Sequence, residues 1–140
     1  MSKAGHSMRS RPSPQIEAHR RDFQHDEIVR GIEPKRVKRL IDRGVIAAKQ
    51  VYRVIPERTF TRRLATGAPL KTAEADAIGR LLRVTATAET TFSDATFARN
   101  WLNLPNPALN DRIPIEMAET DAGAREVETI LSRVAHGDYS

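Results

Sequence analysis

Between Glu57 and Thr66 the chain reads ERTFTRRLAT, and its arginines and threonines are the side chains best suited to chemistry with a nucleic acid. Arg58 and Arg62 stand one helical turn apart, and Thr59, Arg62 and Arg63 share the outer surface. Phe60 and Leu64, four apart, face inward. A helix fits the DNA major groove, where arginine offers a fork to guanine O6 and N7 and threonine meets the thymine methyl. The candidate base-reading residues are therefore Arg58, Thr59, Arg62 and Arg63. Lys49 and Arg53, with Lys35, Arg36, Lys38 and Arg39, are the candidate phosphate contacts, which position a protein on DNA without specifying sequence. The same pattern also describes a solvated arginine-rich helix face.

Other chemistry has little to stand on. His6, His19, His25 and His136 show no metal-ligand spacing, and without cysteine there is neither a disulfide nor a thiolate site. No glycine-rich phosphate loop or nucleophile elbow is present, and no carboxylate pair is singled out. The reading is of a protein that is not an enzyme and that needs no cofactor and no metal.

Charge is divided unevenly. Residues 1–70 hold 16 Lys and Arg against 7 Asp and Glu, while residues 71–140 hold 7 against 11. Such asymmetry suits one half facing a polyanion and the other half facing something else. No apolar run approaches the roughly 20 residues that span a bilayer. No hydrophobic segment follows Arg9 and Arg11, so no signal peptide is expected. The expectation is a soluble cytoplasmic protein with no membrane association.

The elements that must position these residues all read as helices. Residues 1–26 are polar, contain two prolines and lack periodicity, which predicts a mobile basic arm. From Pro34, Val37, Leu40 and Ile41 share one face up to Gly44. A short helix follows over about Ala47 to Val54, and the arginine-rich helix closes at Gly67. A longer helix is expected from Thr72, its N-cap, to Thr91, with a buried stripe of Ile78, Leu81, Leu82, Thr85, Ala88 and Phe92. Further helices are expected over Asp94–Leu102 and Asp121–His136, the last with Val127, Ile130, Leu131 and Val134 inward. Trp101 is assigned to packing between these two. The turn-rich stretch PNPALNDRIP lies between them, and Asn110-Asp111 can accept left-handed backbone geometry. The fold class is all-α. Three short helices followed by a longer one, the third rich in arginine, match a helix-turn-helix core.

The C-terminal third carries a resemblance. Ala98, Trp101-Leu102, Pro105-Asn106-Pro107-Ala108-Leu109, Pro114-Ile115-Glu116, Thr120-Asp121-Ala122-Gly123-Ala124-Arg125-Glu126-Val127 and His136-Gly137-Asp138-Tyr139-Ser140 resemble the toxin-binding domain of the Xre/MbcA/ParS antitoxins. Upstream, Ile55 to Arg63 with Leu70 and Glu74 look like that family's DNA-binding region. Two departures stand out. Asn110-Asp111-Arg112-Ile113 replaces a usual glycine pair, and the acidic pattern opening the long helix is thinned to Glu74-Ala75-Asp76-Ala77.

The resemblance implies three parts: the arm (1–26), a helix-turn-helix domain (27–92) and a small helical toxin-binding domain (93–140). It further implies a homodimer that represses its own operon at operator DNA and covers the active site of a RES-domain toxin, an enzyme that destroys NAD⁺. Asn106, Pro107, Arg112, Glu116, Arg125, His136, Asp138, Tyr139 and Ser140 are the implied toxin contacts. Glu116, Glu119, Asp121, Glu126 and Glu128 could complement a cationic pocket mouth, or form a solvated acidic face. A free-standing repressor, whose C-terminal segment serves dimerisation or another partner, is the alternative.

Overall fold

A computed structural model describes residues 16, 20, 21 and 23–137. Among them the elements run α1 (His25–Arg30), α2 (Pro34–Asp42), α3 (Ala48–Val54), α4 (Glu57–Thr66), α5 (Thr72–Phe92), α6 (Ala95–Asn103), a 3-10 turn (Pro107–Leu109), α7 (Pro114–Met117) and α8 (Asp121–Ala135). The described residues are all-helical apart from one isolated bridge between Asn106 and Arg112. No described helix is long and apolar enough to cross a membrane.

The centre is α5, whose 21 residues give a rod about 31 Å long. Helices α1, α3, α6, α7 and α8 all pack against it. The sequence foresaw one buried stripe, and burial covers a broader arc: Ala75, Ala77, Ile78, Leu81, Leu82, Val84, Ala86 and Ala88 are all enclosed, while Asp76 and Arg83 keep the remaining face to solvent. Alanine makes this possible, because a methyl group lets neighbouring backbones approach. The β-branched run near the C-terminal end stays helical by a second device. Thr85, Thr87 and Thr91 donate their hydroxyls to the carbonyls of Leu81, Arg83 and Thr87, at 2.8, 3.0 and 2.8 Å. Polar groups are thereby satisfied inside the helix surface rather than competing with it.

Each end of α5 is fixed differently from the expectation. Lys71, in extended conformation, occupies the N-cap, and Thr72 is the first helical residue. The Glu74 carboxylate accepts from the Lys71 backbone N–H at 2.8 Å. It also accepts from the Arg63 guanidinium, and the two side chains are only 15% and 10% exposed. Burial opposes ionisation of Glu74, but the hydrogen bonds from Arg63 and Lys71, with their charges, outweigh it and hold its carboxyl below the ordinary value. This pair ties α4 to the start of α5. At the other end Ser93 is left-handed (φ 57°), and Asp94 caps α6 by accepting from Phe97 N–H at 3.0 Å.

Of the residues expected in a mobile arm, Ile16 and Phe23 are instead buried in the core, and His25 and Asp26 open α1. Phe23 lies over Gly79 of α5, where a Cβ would meet the Phe23 Cβ at 3.2 Å. One continuous set of buried side chains runs from Ile16 and Ile32 through α5 to Leu131. That set has members on both sides of residues 92 and 93. Fully enclosing each Leu, Ile or Phe contributes ~1.5–3 kcal/mol. Exposed ion pairs such as Lys38–Asp42 contribute ~0.2–1 kcal/mol. The apolar core decides the fold.

The chain between α6 and α8 is held by short-range caps. Asn106 accepts from Ala108 N–H at 2.9 Å and opens the 3-10 turn, with Pro107 at its first position. Leu109 is buried beneath it. Asn110 (φ 58°) and Asp111 (φ 62°) are both left-handed, as the sequence allowed, and reverse the chain so that Arg112 pairs with Asn106. Two residues that tolerate this geometry thus stand where the resembled family has glycines. Thr120 then caps α8 by accepting from Gly123 N–H at 3.0 Å.

At Gly123 a side chain has no room. A Cβ there would fall inside the van der Waals radius of the Met117 carbonyl oxygen. Gly123→Ala should therefore destabilise the protein by ~2–3 kcal/mol, measured by chemical denaturation, because backbone must move to admit it. An unchanged midpoint would mean that α7 yields freely. Glu74→Ala should cost about 3 kcal/mol at pH 7 by leaving Arg63 buried and unpaired. Since folding lowers the Glu74 pKa, the wild-type advantage is full above its ordinary value of 4.5 and fades as pH falls below it. Denaturation at pH 7 and pH 3 measures the difference. A gap that stays constant with pH would remove the charge from the account.

Candidate functional site

Helices α3 and α4 are joined by two extended residues, Ile55 (φ −127°) and Pro56 (φ −50°). The turn needs no glycine because neither position is left-handed. Proline also keeps its predecessor extended. Ile55 is fully buried and pins the turn, while Tyr52 and Phe60, with ring centroids 6.2 Å apart, hold the two helices together. The arrangement is that of a helix-turn-helix, with α4 as the outer helix and left-handed Gly67 (φ 80°) closing it.

On α4, Phe60 and Arg63 are buried and Leu64 is half buried. Arg58, Thr61, Arg62 and Ala65 form the exposed face, and Thr59 lies at its edge, half buried. Arg63 thus departs from the expected outer surface. It lies three residues after Phe60, on the core side, and is engaged by Glu74. Thr61 takes a place on the outer face that the sequence reading did not assign. Arg58 and Arg62 make no hydrogen bond or ion pair among the described residues, and neither does Lys49 on α3.

Arg53, one turn after Lys49, is exposed but not unpartnered. Its guanidinium bonds the Glu119 carboxylate, and Glu116 is 4.0 Å away. A cation on the helix-turn-helix is in this way tied to the acidic turn that precedes α8.

The residues expected at a partner surface are spread out. Asn106 and Arg112 shape their own loop, Arg112 donating from Nε to the Leu109 carbonyl at 3.0 Å. Pro107 is exposed beside them. Glu116 faces Arg53. Arg125 is 77% exposed and pairs with Asp121 at 2.7 Å. His136, about 16 Å further along the α8 axis, is exposed, with Nδ1 2.7 Å from the Ser132 carbonyl oxygen. Asp138, Tyr139 and Ser140 lie outside the described residues.

The acidic residues are also largely committed within the chain. Glu119 bonds Arg53, Glu128 bonds Arg83 at 2.9 and 3.2 Å, and Asp121 bonds Arg125. Only Glu126, of the five, has no such partner among the described residues. A broad acidic face for a cationic pocket mouth is therefore reduced. Trp101 differs as well. It is half buried at the rim, against Phe92 of α5 at 5.5 Å, rather than enclosed between α6 and α8. Among the described residues no group of three or more His, Asp or Glu is placed to hold a metal ion.

Comparison with known proteins adds what geometry does not. Residues 87–137 match the Xre/MbcA/ParS antitoxin C-terminal toxin-binding domain. The chain is 32% identical over 117 residues to "Antitoxin Xre" of Pseudomonas putida, covering 83% of this chain and 74% of that protein. It is 34% identical over 87 residues to "Antitoxin Xre" of Yersinia enterocolitica, covering 61% of this chain and 59% of that relative. The domain match takes in the end of α5 and everything to the end of α8, and the Pseudomonas alignment is long enough to reach the helix-turn-helix as well. On both grounds the chain belongs to the Xre/MbcA/ParS family of antitoxins.

Proposed function

We propose that this antitoxin neutralises a RES-domain toxin by covering its NAD⁺-degrading active site, and represses its own operon by placing α4 in the major groove of operator DNA. The observation that carries the DNA half is the exposed pair Arg58 and Arg62, one turn apart on the outer helix of a helix-turn-helix and free of internal partners among the described residues. An arginine kept unpaired at a helix surface can give its whole fork to a base edge or phosphate. Lys49, equally free, supplies a phosphate contact from α3. Arg53 can join only by leaving Glu119, and Arg63 serves the core.

The partner half rests on family membership and on the C-terminal segment from the 3-10 turn to α8. No residue of the chain is asked to catalyse; inhibition is steric, by excluding substrate from the toxin. Paired half-sites on a palindromic operator call for a homodimer. A protein of this kind works in the cytoplasm, where its DNA and the NAD⁺ pool are found.

Co-expression with the product of the adjacent gene tests the reading. Growth and NAD⁺ should fall with the neighbour alone and recover when this protein is present. A harmless neighbour, or one that stays toxic beside well-expressed antitoxin, would favour the free-standing repressor.

Two substitutions separate the DNA roles. Arg62→Ala should weaken operator binding by ~1–3 kcal/mol while barely changing random DNA, if it reads a base. Lys49→Ala should weaken both alike and reduce the salt dependence of log K by about 0.9. Equal affinity of the Arg62 variant and wild type for operator would exclude base reading there. Removing residues 132–140 leaves Val127 and Leu131 in the core, so DNA binding should largely persist while neutralisation is lost. Rescue of growth by the shortened protein would place the toxin-binding surface elsewhere.

A further inference from the structure

Among the described residues three large apolar side chains stand exposed, and two of them belong to α6 and its end: Phe97 (53%), on the helix, and Leu104 (58%), the extended residue that closes it. Trp101, half buried, lies between them. Phe97 and Trp101 stand one turn apart on α6, and Leu104 follows directly after its last residue. The opposite face already meets the needs of the core, since Ala98 and Leu102 are buried. The outer row is therefore not misplaced core.

It is also held in place. Phe92, at the end of α5, lies 4.9 Å from the Phe97 ring and 5.5 Å from the Trp101 ring, centroid to centroid. Rings steadied by one another lose little freedom on docking. Exposed apolar rows of this kind mark contact surfaces, and Trp is enriched among the residues that dominate binding energy.

We propose that this face of α6 seats in an apolar groove of the toxin, with Phe97, Trp101 and Leu104 as anchors. The assignment rests on the toxin-binding reading above and names the surface that carries it. The toxin is selected over a second copy of the chain because the whole row falls within residues 87–137, the segment matching a toxin-binding domain.

The test compares Phe97→Ser and Leu104→Ser with wild type, and uses Val29→Ser on α1 as the control for the third exposed apolar residue. Circular dichroism and thermal melting establish folding; Leu104, the more exposed, guards against a Phe97 variant that unfolds. Affinity is measured against the product of the adjacent gene, and oligomeric state by light scattering of the antitoxin alone. The two α6 variants should bind ~30-fold more weakly with unchanged oligomeric state, and the Val29 variant as wild type. Folded α6 variants that bind the toxin normally overturn the assignment, and a changed oligomeric state in them gives the face to a second copy. If wild type itself does not bind the neighbour, the toxin reading falls and takes the assignment with it. Equal binding by wild type and variants removes the assignment alone.

Discussion

A central helix packed by five others needs neighbours that come close and polar groups that find partners within it. In α5 alanines at 75, 77, 86 and 88 meet the first requirement, and threonine hydroxyls returned to carbonyls one turn back meet the second. The other elements follow from this. Helix α3 reaches α5 and carries the helix-turn-helix with it, α6 turns back over it at Ser93-Asp94, and α7 and α8 pack against it as well. Phe23 lies against it at Gly79.

Much of this was legible wherever local chemistry decides. Pro56 and Gly67 bracket α4, and the observed span, Glu57–Thr66, is the expected one. Asn110-Asp111 turned out left-handed because those side chains tolerate that geometry best after glycine. What was not legible depends on contacts distant in sequence. Arg63 looked like surface because it is charged, although its spacing from Phe60 put it with Leu64 on the core side. Its partner Glu74 is 11 residues on, across a loop whose path no periodicity records. Ile16 and Phe23 were isolated apolar residues in a polar, proline-bearing stretch, and only the packed core gives them a place. The 3-10 turn and α7 are too short to show a period.

The candidate surfaces repeat this division. Arg58, Arg62 and Lys49 were readable because exposure is the default for an arginine or lysine. The residues quoted for the family resemblance proved harder to read as contacts, since several shape the chain: Asn106 caps a turn, Thr120 caps α8 and Gly123 clears Met117. Phe97 and Leu104 belong to none of those motifs. Their spacing around Trp101 was visible, but nothing local says which face of a short amphipathic helix meets the core.

One core passing through α5 beneath both surfaces has a consequence for the lifetime of the protein. A protease that needs an unfolded stretch then finds no half with a core wholly its own, because the buried side chains of both form one continuous set. Whatever occupies one surface thereby lowers the fraction of chains that are open anywhere. Turnover of the N-terminal helices and of the C-terminal helices is then coupled, and a partner bound to either can slow both.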